Sequence, residues 1–354
     1  MPINPEKYVN VDSDDTPIIR YVKVPVWETR FGVSIADLLG GLTQNGDYML
    51  PRGDNEVDLS TITRNVPSYG FAYKFYSTMV RGDVVLNATS VASSGMRNAF
   101  TMSRITSFSA PRLTSVGDSS FAGIFNAASY MNTASFDGLV TVTGQSAFNY
   151  AFYVSSVKTV SFANLETVDG YGIFDDAFAS CRLLESANFD KLNRVNGGTA
   201  FYYAFDNCIR LASNPFKNVE TIGASSMRGT FRNCSALTIG RFENLTTVDG
   251  SGLEHVFDSC AGITTGLFDK LATINGNYAF WRAFRNCTSL TEVRYPALVT
   301  VNGSGTFQDM LVGCTDVTVH FPSNLEETMS SWRDVVAGFG GTNTTILWDL
   351  PATA

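Results

Sequence analysis

Hydrophobic positions recur along this chain with a period of 26 or 27 residues. The clearest markers are six cysteines, at Cys181, Cys208, Cys234, Cys260, Cys287 and Cys314. Three residues before each cysteine stands a large apolar side chain, at Phe178, Phe205, Phe231, Phe257, Phe284 and Leu311. Three residues after each cysteine stands another, at Leu184, Leu211, Leu237, Ile263, Leu290 and Val317. A fixed period of this length is the signature of a repeat architecture.

The remainder of each period is also regular. An aromatic residue follows the second apolar position by four or five residues, and then come apolar pairs spaced by three, such as Leu165/Val168. The same frame continues upstream without cysteine, through Phe148 and Phe152, and Phe71 and Phe75 fit a degenerate first unit. The repeat therefore runs from about residue 57 to residue 321.

A unit of this length is too short for a pair of helices and fits one coil of a leucine-rich solenoid. Segments such as 290–295 and 165–170 are predicted to be short strands. Stretches between two aromatics, such as 200–205 and 279–284, are predicted to be helical turns because residues four apart share one helix face. No single coil can bury its own apolar residues, whereas stacked coils form a continuous core. We predict an α/β solenoid of about nine coils, capped at both ends.

The two ends of the chain lack the repeat. Residues 1–56 are predicted to form an N-terminal attachment or capping segment, with a strand over 18–27 and a short helix over 33–42. Residues 57–321 are the predicted leucine-rich-repeat solenoid. Residues 322–354 are predicted to form a C-terminal cap, with a helix that Ser323 caps and a final strand over 344–349.

The run at 283–303, AFRNCTSLTEVRYPALVTVNG, resembles the BspA-like leucine-rich repeat, including Pro296 after the strand. The resemblance covers residues 57–321 and implies a ligand-presenting or adhesive scaffold without catalysis. The family spans bacterial surface adhesins, secreted proteins of gut microbes and protists, and phage-encoded proteins. Most surface members carry a signal peptide, and the first thirty residues here show no such pattern.

The amino-acid composition limits the classes of partner that the chain is expected to bind. Of the 354 residues, 44% are hydrophobic and only 16% are charged, and the net charge is −8 without any basic cluster. We therefore expect no nucleic-acid partner, because phosphate binding needs a localised positive face. The longest mostly apolar stretch, 31–42, is too short to span a bilayer, and we expect no membrane insertion.

Candidate chemistry is sparse, and we expect no enzyme, no cofactor and no metal site. The repeated position of the cysteines predicts buried free thiols, with disulfides or a metal site as alternatives. His255 and His320 stand near no nucleophile motif, and we expect structural roles for both. The pairs Asp14–Asp15 and Asp175–Asp176 lack calcium-loop spacing and are predicted to be solvated turn residues.

The tripeptide Arg-Gly-Asp of integrin ligands occurs twice, at 52–54 and 81–83. Chance occurrence in turns is the simpler interpretation of both.

The residues between the two core aromatics of each unit differ from unit to unit, and equivalent positions should lie side by side in a solenoid. Tyrosine, tryptophan and arginine are the residues most enriched at binding hot spots. The candidate ligand-contact residues are therefore Tyr150, Tyr202, Tyr203, Trp281 and Arg282. The alternative is that they only cover the edge of the coils. The small polar residues at outward strand positions, such as Thr159 and Ser161, predict a flat polar surface. Such a surface could bind glycans or could have no ligand.

These observations predict a non-catalytic binding or structural protein. The first hypothesis is a phage virion protein on a tail or capsid surface, joined to virion proteins through residues 1–56 and binding a protein or glycan on a cell. The alternative is a bacterial cell-surface adhesin that binds host protein or glycan. Homo-oligomerisation is left open.

Overall fold

The computed structural model describes residues 9–11, 17–19, 57, 59–60, 62–63, 65–77, 80–327 and 338–352. The repeat region forms a solenoid of parallel strands, which confirms the predicted coil architecture. The strands are β1 Val9–Val11, β2 Pro17–Ile19, β3 Arg81–Val85, β4 Ser90–Val91, β5 Arg104–Ser109, β6 Ser115–Val116, β7 Thr133–Ser135, β8 Thr141–Val142, β9 Thr159–Ser161, β10 Thr167–Val168, β11 Ser186–Asn188, β12 Arg194–Val195, β13 Thr221–Ile222, β14 Ile239–Arg241, β15 Thr247–Asp249, β16 Thr265–Leu267, β17 Thr273–Asn275, β18 Glu292–Arg294, β19 Thr300–Asn302, β20 Thr318–Pro322 and β21 Thr345–Leu350.

A typical coil contributes one strand to each of two parallel sheets. The long sheet contains seven strands, in the order β8-β10-β12-β13-β15-β17-β19. The divided sheet consists of two five-stranded parts, β3-β5-β7-β9-β11 and β14-β16-β18-β20-β21. Partners are one repeat apart, as in Thr247↔Thr273. Because side chains alternate across a strand, the central residue of the three-residue strands from β7 to β19 faces the core, as Val160 does.

The third side of each coil is a turn segment, and the prediction of helical turns is wrong. Each segment holds left-handed residues four positions apart, for example Ser146, Tyr150 and Val154 with φ of 51°, 52° and 58°. Alternate amides donate to the next coil, as Phe148 N–H does to the Ile173 carbonyl at 2.8 Å. An α-helix requires every residue to be right-handed and every amide to bond within its own segment. The described fold is therefore a β-solenoid and not an α/β one.

Such turn segments stack in ten coils, rather than the nine or so predicted. Their central left-handed residues are Tyr73, Asn98, Gly123, Tyr150, Asp176, Tyr203, Gly229, His255, Arg282 and Asp309.

Phenylalanine columns fill the interior. Rings at the same coil position stack, as in Phe174–Phe201 with centroids 4.8 Å apart and planes at 9°. Rings from different columns meet edge to face, as in Phe162–Phe174 at 5.1 Å and 87°. Both geometries favour aromatic packing. The exact repeat in sequence thus becomes a continuous aromatic core.

The six cysteines are buried and free, in agreement with the packing interpretation. Each Sγ–H donates to a backbone carbonyl in the preceding coil, as Cys234 does to Phe205 at 3.1 Å. Burial raises the pKa of the Cys181 thiol to about 12. The thiols therefore serve as small core side chains that also satisfy a carbonyl group.

Pro215 explains why one sheet is divided. It lies in the coil between β11 and β14, at the position that Asn188 and Arg241 occupy in those strands. Proline has no N–H and disfavours ladder pairing. The neighbouring Asn214 compensates, because its side-chain amide donates to the Arg241 carbonyl at 2.7 Å and its Oδ1 accepts from Phe216 N–H at 2.8 Å.

The ends of the chain are described in part. β1 and β2 pair antiparallel, and the predicted helix over 33–42 lies outside the described residues. After β20 a short 3-10 helix covers Ser323–Leu325, and most of the predicted cap helix lies outside the described residues. The final strand β21 matches the predicted strand and pairs parallel to β20.

Candidate functional site

The candidate residues lie on what we call the turn face, the paired residues at the middle of each turn segment from Asn149–Tyr150 to Gln308–Asp309. Backbone hydrogen bonds join these pairs from coil to coil. Tyr150 N–H donates to the Asp175 carbonyl at 2.9 Å, and Asp176 N–H donates to the Tyr202 carbonyl at 2.9 Å. Neighbouring coils are about 4.8 Å apart, as in any sheet. Side chains far apart in sequence therefore form contiguous rows.

Tyr150, Tyr202 and Tyr203 lie in one cluster, with Asp175 and Asp176 on the coil between them. Tyr202 and Tyr203 meet edge to face, with ring centroids 4.4 Å apart. The side chain of Tyr150 is 41% exposed, and its hydroxyl donates to the Asp176 carboxylate. Burial and this neighbouring carboxylate raise the pKa of Tyr150 to about 12.

The Asp175–Asp176 pair is half-buried, and the prediction that both residues are solvated is wrong. Burial raises the pKa of Asp175 to about 7, and the charge of Asp176 adds to this rise. Within the described residues, the Asp175 carboxylate has neither a hydrogen-bond donor nor an ion-pair partner, whereas Tyr150 supports Asp176. The coil register places these aspartates between two tyrosine-bearing coils, but the sequence gave no signal for their burial, because burial depends on how the side chains of stacked coils pack.

Trp281 and Arg282 form a second cluster, three coils beyond Tyr203. The Arg282 guanidinium lies over the Trp281 ring, 4.6 Å from its centroid, and its Nη2 is 3.4 Å from Asp309 Oδ2. His255 meets the Trp281 ring edge-on at 5.3 Å. The structure thus divides the five predicted residues into two groups.

Arginine–carboxylate pairs connect the coils between the clusters. Arg232 binds Asp206 through two hydrogen bonds of 2.9 Å. These residues belong to a row beside the turn face, formed by the residue three positions after the central left-handed residue of each turn segment. Further along this row, Arg285 Nη2 is 2.9 Å from Asp258 Oδ2. Sequence reasoning missed these residues, although acid and base alternate at intervals of 26, 26 and 27 residues.

His255 is buried in this network and occupies a turn rather than the expected helix. Its Nδ1 lies 3.0 Å from Asp258 Oδ2. Although burial opposes ionisation, hydrogen bonds from His255 and Arg285 hold the pKa of Asp258 below its usual value. The arrangement is that of a structural ion-pair network centred on the Asp258 carboxylate.

Tyr203 is held rigidly. The Arg232 guanidinium lies 4.5 Å from its ring centroid on one side. Gly229, in the same coil as Arg232 and with φ of 62°, also lies against this ring, and an added Cβ there would stand 2.5 Å from it. The faces of Tyr203 and Trp281 are therefore covered by arginines of the chain itself. Tyr202 is more open, with the Arg228 guanidinium at 5.8 Å.

The remaining sequence candidates lie elsewhere. Asp83 of the second Arg-Gly-Asp accepts hydrogen bonds from Thr106 and Ser107 at 2.8 and 2.6 Å, which lower its pKa, and the tripeptide lies in β3. The first Arg-Gly-Asp and Asp14–Asp15 lie outside the described residues. His320 lies in β20, where its Nδ1 contacts Asp349 Oδ1 of β21 at 2.8 Å.

A shallow polar cleft of about 380 Å³ lies away from the turn face. Its side chains bond between coils, as Lys191 does to Asn164 at 2.8 Å and Asn244 to Asn218 at 2.9 Å. Among the described residues, no group of three or more histidine, cysteine or acidic side chains is placed to hold a metal ion. No helix in the described part of the chain could cross a membrane.

Comparison with known proteins identifies the repeat. Residues 93–226, 148–282 and 202–331 match the family described as BspA type leucine rich repeat region, with six copies. No curated protein matches the chain significantly.

Three solved structures resemble the chain. A leucine-rich repeat protein from Bacteroides ovatus shares 16% identity, over 80% of this chain and 87% of that one, with a TM-score of 0.28. A leucine rich cell surface protein from Faecalibacterium prausnitzii shares 16%, over 71% and 83%, with a TM-score of 0.29. The pneumococcal vaccine antigen PcpA shares 10%, over 83% and 78%, with a TM-score of 0.32.

Proposed function

The chain belongs to the BspA-type leucine-rich repeat family, and from this premise we propose that it is a non-catalytic scaffold that binds a partner through its turn face. One observation carries the proposal. The inner side of the turn segments repeats the same apolar residues, whereas the outer side departs from the repeat into tyrosine, tryptophan, arginine and aspartate.

The energetics of the fold support this assignment. Stacking of coils needs only the inner residues, because each coil buries its apolar side chains against its neighbours. Aromatic residues and arginine on the outer side are the types that dominate binding energy in protein interfaces. Their rigid placement by cation–π contacts and ion pairs reduces the entropy lost on binding.

The setting that we propose is a phage virion, with residues 1–56 joined to virion proteins and the solenoid presented to a protein or glycan on a cell. Support comes from a segment outside the repeat register and from a repeat family that includes phage-encoded members. The second candidate is an adhesin on a bacterial surface, which the BspA-type repeat favours.

A binding experiment tests the scaffold proposal. The immobilised full chain is screened against glycan arrays and against surface extracts of gut bacteria, alongside a variant with Tyr150, Tyr202, Tyr203 and Trp281 changed to serine. A control variant carries Thr159→Ala and Glu292→Ala on outward strand positions. We expect the turn-face variant alone to lose the ligand. Equal binding by all three proteins, or a turnover detected on any captured ligand, contradicts the proposal.

The setting is tested separately. Mass spectrometry of purified phage particles and of bacterial envelope fractions should find the chain in the particles. Its presence in envelopes alone would favour the surface adhesin and leave the scaffold proposal intact.

A further inference from the structure

The charges of the turn face and of the row beside it are compensated by ion pairs between neighbouring coils. Four arginines have carboxylate partners on other coils: Arg228 with Glu254, Arg232 with Asp206, Arg282 with Asp309 and Arg285 with Asp258. No described arginine or lysine forms an ion pair with Asp175 or Asp176. Among the described residues of the turn face, Asp175 and Asp176 are therefore the acidic residues without an ion pair, although the charge of Arg232 acts on Asp176 from a distance.

We propose that Tyr150, Asp175, Asp176 and Tyr202 form a recognition site for a basic side chain, lysine or arginine, of a protein partner. The inference rests on the proposed function, and it names the chemistry of the partner.

The same face shows twice how such a group is bound. Arg232 lies over the Tyr203 ring at 4.5 Å and bonds to the Asp206 carboxylate at 2.9 Å. Arg282 lies over the Trp281 ring and reaches Asp309 at 3.4 Å. Each arginine thus binds an aromatic ring and a carboxylate together, which combines cation–π attraction with a charge-assisted hydrogen bond.

Asp175 also has aromatic rings beside it, but its carboxylate forms no ion pair within the described residues, and the nearest ring-bound cation, Arg228, lies 5.8 Å from the Tyr202 ring centroid. Tyr150 precedes it by one coil and Tyr202 follows it by one coil, so that tyrosines stand on both sides at about the 4.8 Å coil spacing. Both aspartates are half-buried, so part of each remains accessible, and Tyr150 beside them is 41% exposed. A neutral glycan would also stack on tyrosine, but it would leave the repulsion between the two carboxylates unrelieved.

The titration behaviour of Asp175 agrees with this placement. Burial and Asp176 raise its pKa to about 7, and the groups that face the pair are Tyr150, Tyr202 and Tyr203, with Asp206 and Arg232 near Asp176. A bound cation favours the charged form and lowers this pKa. Binding should therefore strengthen as pH rises from about 6 to 8.

Isothermal titration calorimetry of the full chain tests the inference. The probe is an end-blocked peptide of alternating lysine and serine, and its control is the same peptide with every lysine acetylated. We expect the lysine peptide to bind and acetylation to abolish binding. Asp175→Asn should weaken binding roughly fivefold and Tyr202→Ala roughly threefold, the scale of exposed ion pairs and cation–π contacts.

Asp169→Asn is the matched control, because Asp169 is exposed on the same coil and the net charge changes equally. Asp175→Glu keeps the charge and should retain binding. An equal loss in the Asp169 and Asp175 variants shows attraction by net charge alone and overturns the inference, as does equal binding of the acetylated peptide. A third outcome separates this inference from the proposed function. If the lysine peptide does not bind, but a ligand found in the array screen binds the wild type and not the turn-face serine variant, the inference is wrong and the scaffold proposal stands.

Discussion

The inner and outer sides of each turn segment lie within one residue of each other and obey different rules. Phe201 is fully buried and stacks on Phe174 at 4.8 Å, and Phe174 stacks in turn on Phe148 at 5.1 Å. Tyr202, the next residue, faces outward, and its equivalents are Asp175 one coil before and Arg228 one coil after. The inner side stays apolar, with phenylalanine giving way only to residues such as Met227 and Leu253, because a close-packed core leaves no room for unpaired polar groups. The residue types that differ from coil to coil therefore lie on the outer side.

This comparison separates two kinds of effect. Inner substitutions should change the stability of the whole stack, because each coil relies on its neighbours. Outer substitutions should change binding and local electrostatics with little effect on the stack.

The largest expected effect comes from Phe201→Ala, which removes a ring that packs against Phe174, Phe189 and Phe216. We expect a loss of about 3 to 5 kcal/mol in the free energy of unfolding. The neighbouring Tyr202→Ala should cost about 1 kcal/mol or less. Urea denaturation followed by circular dichroism measures both. Similar losses at the two positions would contradict the separation of inner and outer sides.

Gly229→Ala tests the backbone beneath Tyr203. An added methyl group would stand 2.5 Å from the Tyr203 ring, at a residue with φ of 62°. We expect a loss of about 1 to 2 kcal/mol from left-handed strain, together with displacement of Tyr203 from Arg232. Gly198→Ala is the control, because its added Cβ meets the Tyr171 ring only at an ordinary 3.5 Å. Equal melting temperatures for the Gly229→Ala and Gly198→Ala variants would show that the close contact between Gly229 and the Tyr203 ring does not matter for stability.

The cysteines sharpen the comparison on the inner side. All six thiols are buried, and burial raises their pKa values. A thiol-reactive reagent should leave the native chain unmodified and should react with six thiols in denaturant. Fewer than five in denaturant, without reductant, would show that disulfides form and that the packing assignment is wrong.

The smallest effect is expected at Asp175. Its pKa is about 7 when folded, against the ordinary 3.8, which means that the folded chain holds this proton more tightly. Stability conferred by the neutral carboxyl is complete below about pH 4 and is lost as pH rises through 7. The free energy of unfolding of Asp175→Asn, measured by urea denaturation, should therefore match that of the wild type at pH 4 and exceed it at pH 8 by on the order of 1 kcal/mol or less after solvent screening. Asp169→Asn should change neither value, and a pH-independent difference at Asp175 would refute the assigned cause.

The prediction from sequence was strongest where one residue type repeats. The phenylalanine and cysteine positions identified the inner side, and the coil register placed Tyr150, Tyr202 and Tyr203 close together. The arginine partners of the turn face were missed, although their spacing was visible, because an ion pair between coils depends on side-chain direction as well as on register.

By itself, the sequence determined the period, the buried positions and the order of coils, since an apolar pattern of 26 or 27 residues can be buried only by stacking. Only the tertiary structure decided that the turn segments are not helices. An apolar residue every fourth position fits a helix and a left-handed turn series equally well. Each amide N–H can donate either to a carbonyl in its own segment or to one in the next coil. The second acceptor is in place only after the coils have stacked. The raised pKa of Asp175 has the same origin, because its burial and its tyrosine neighbours come from the coils stacked on either side.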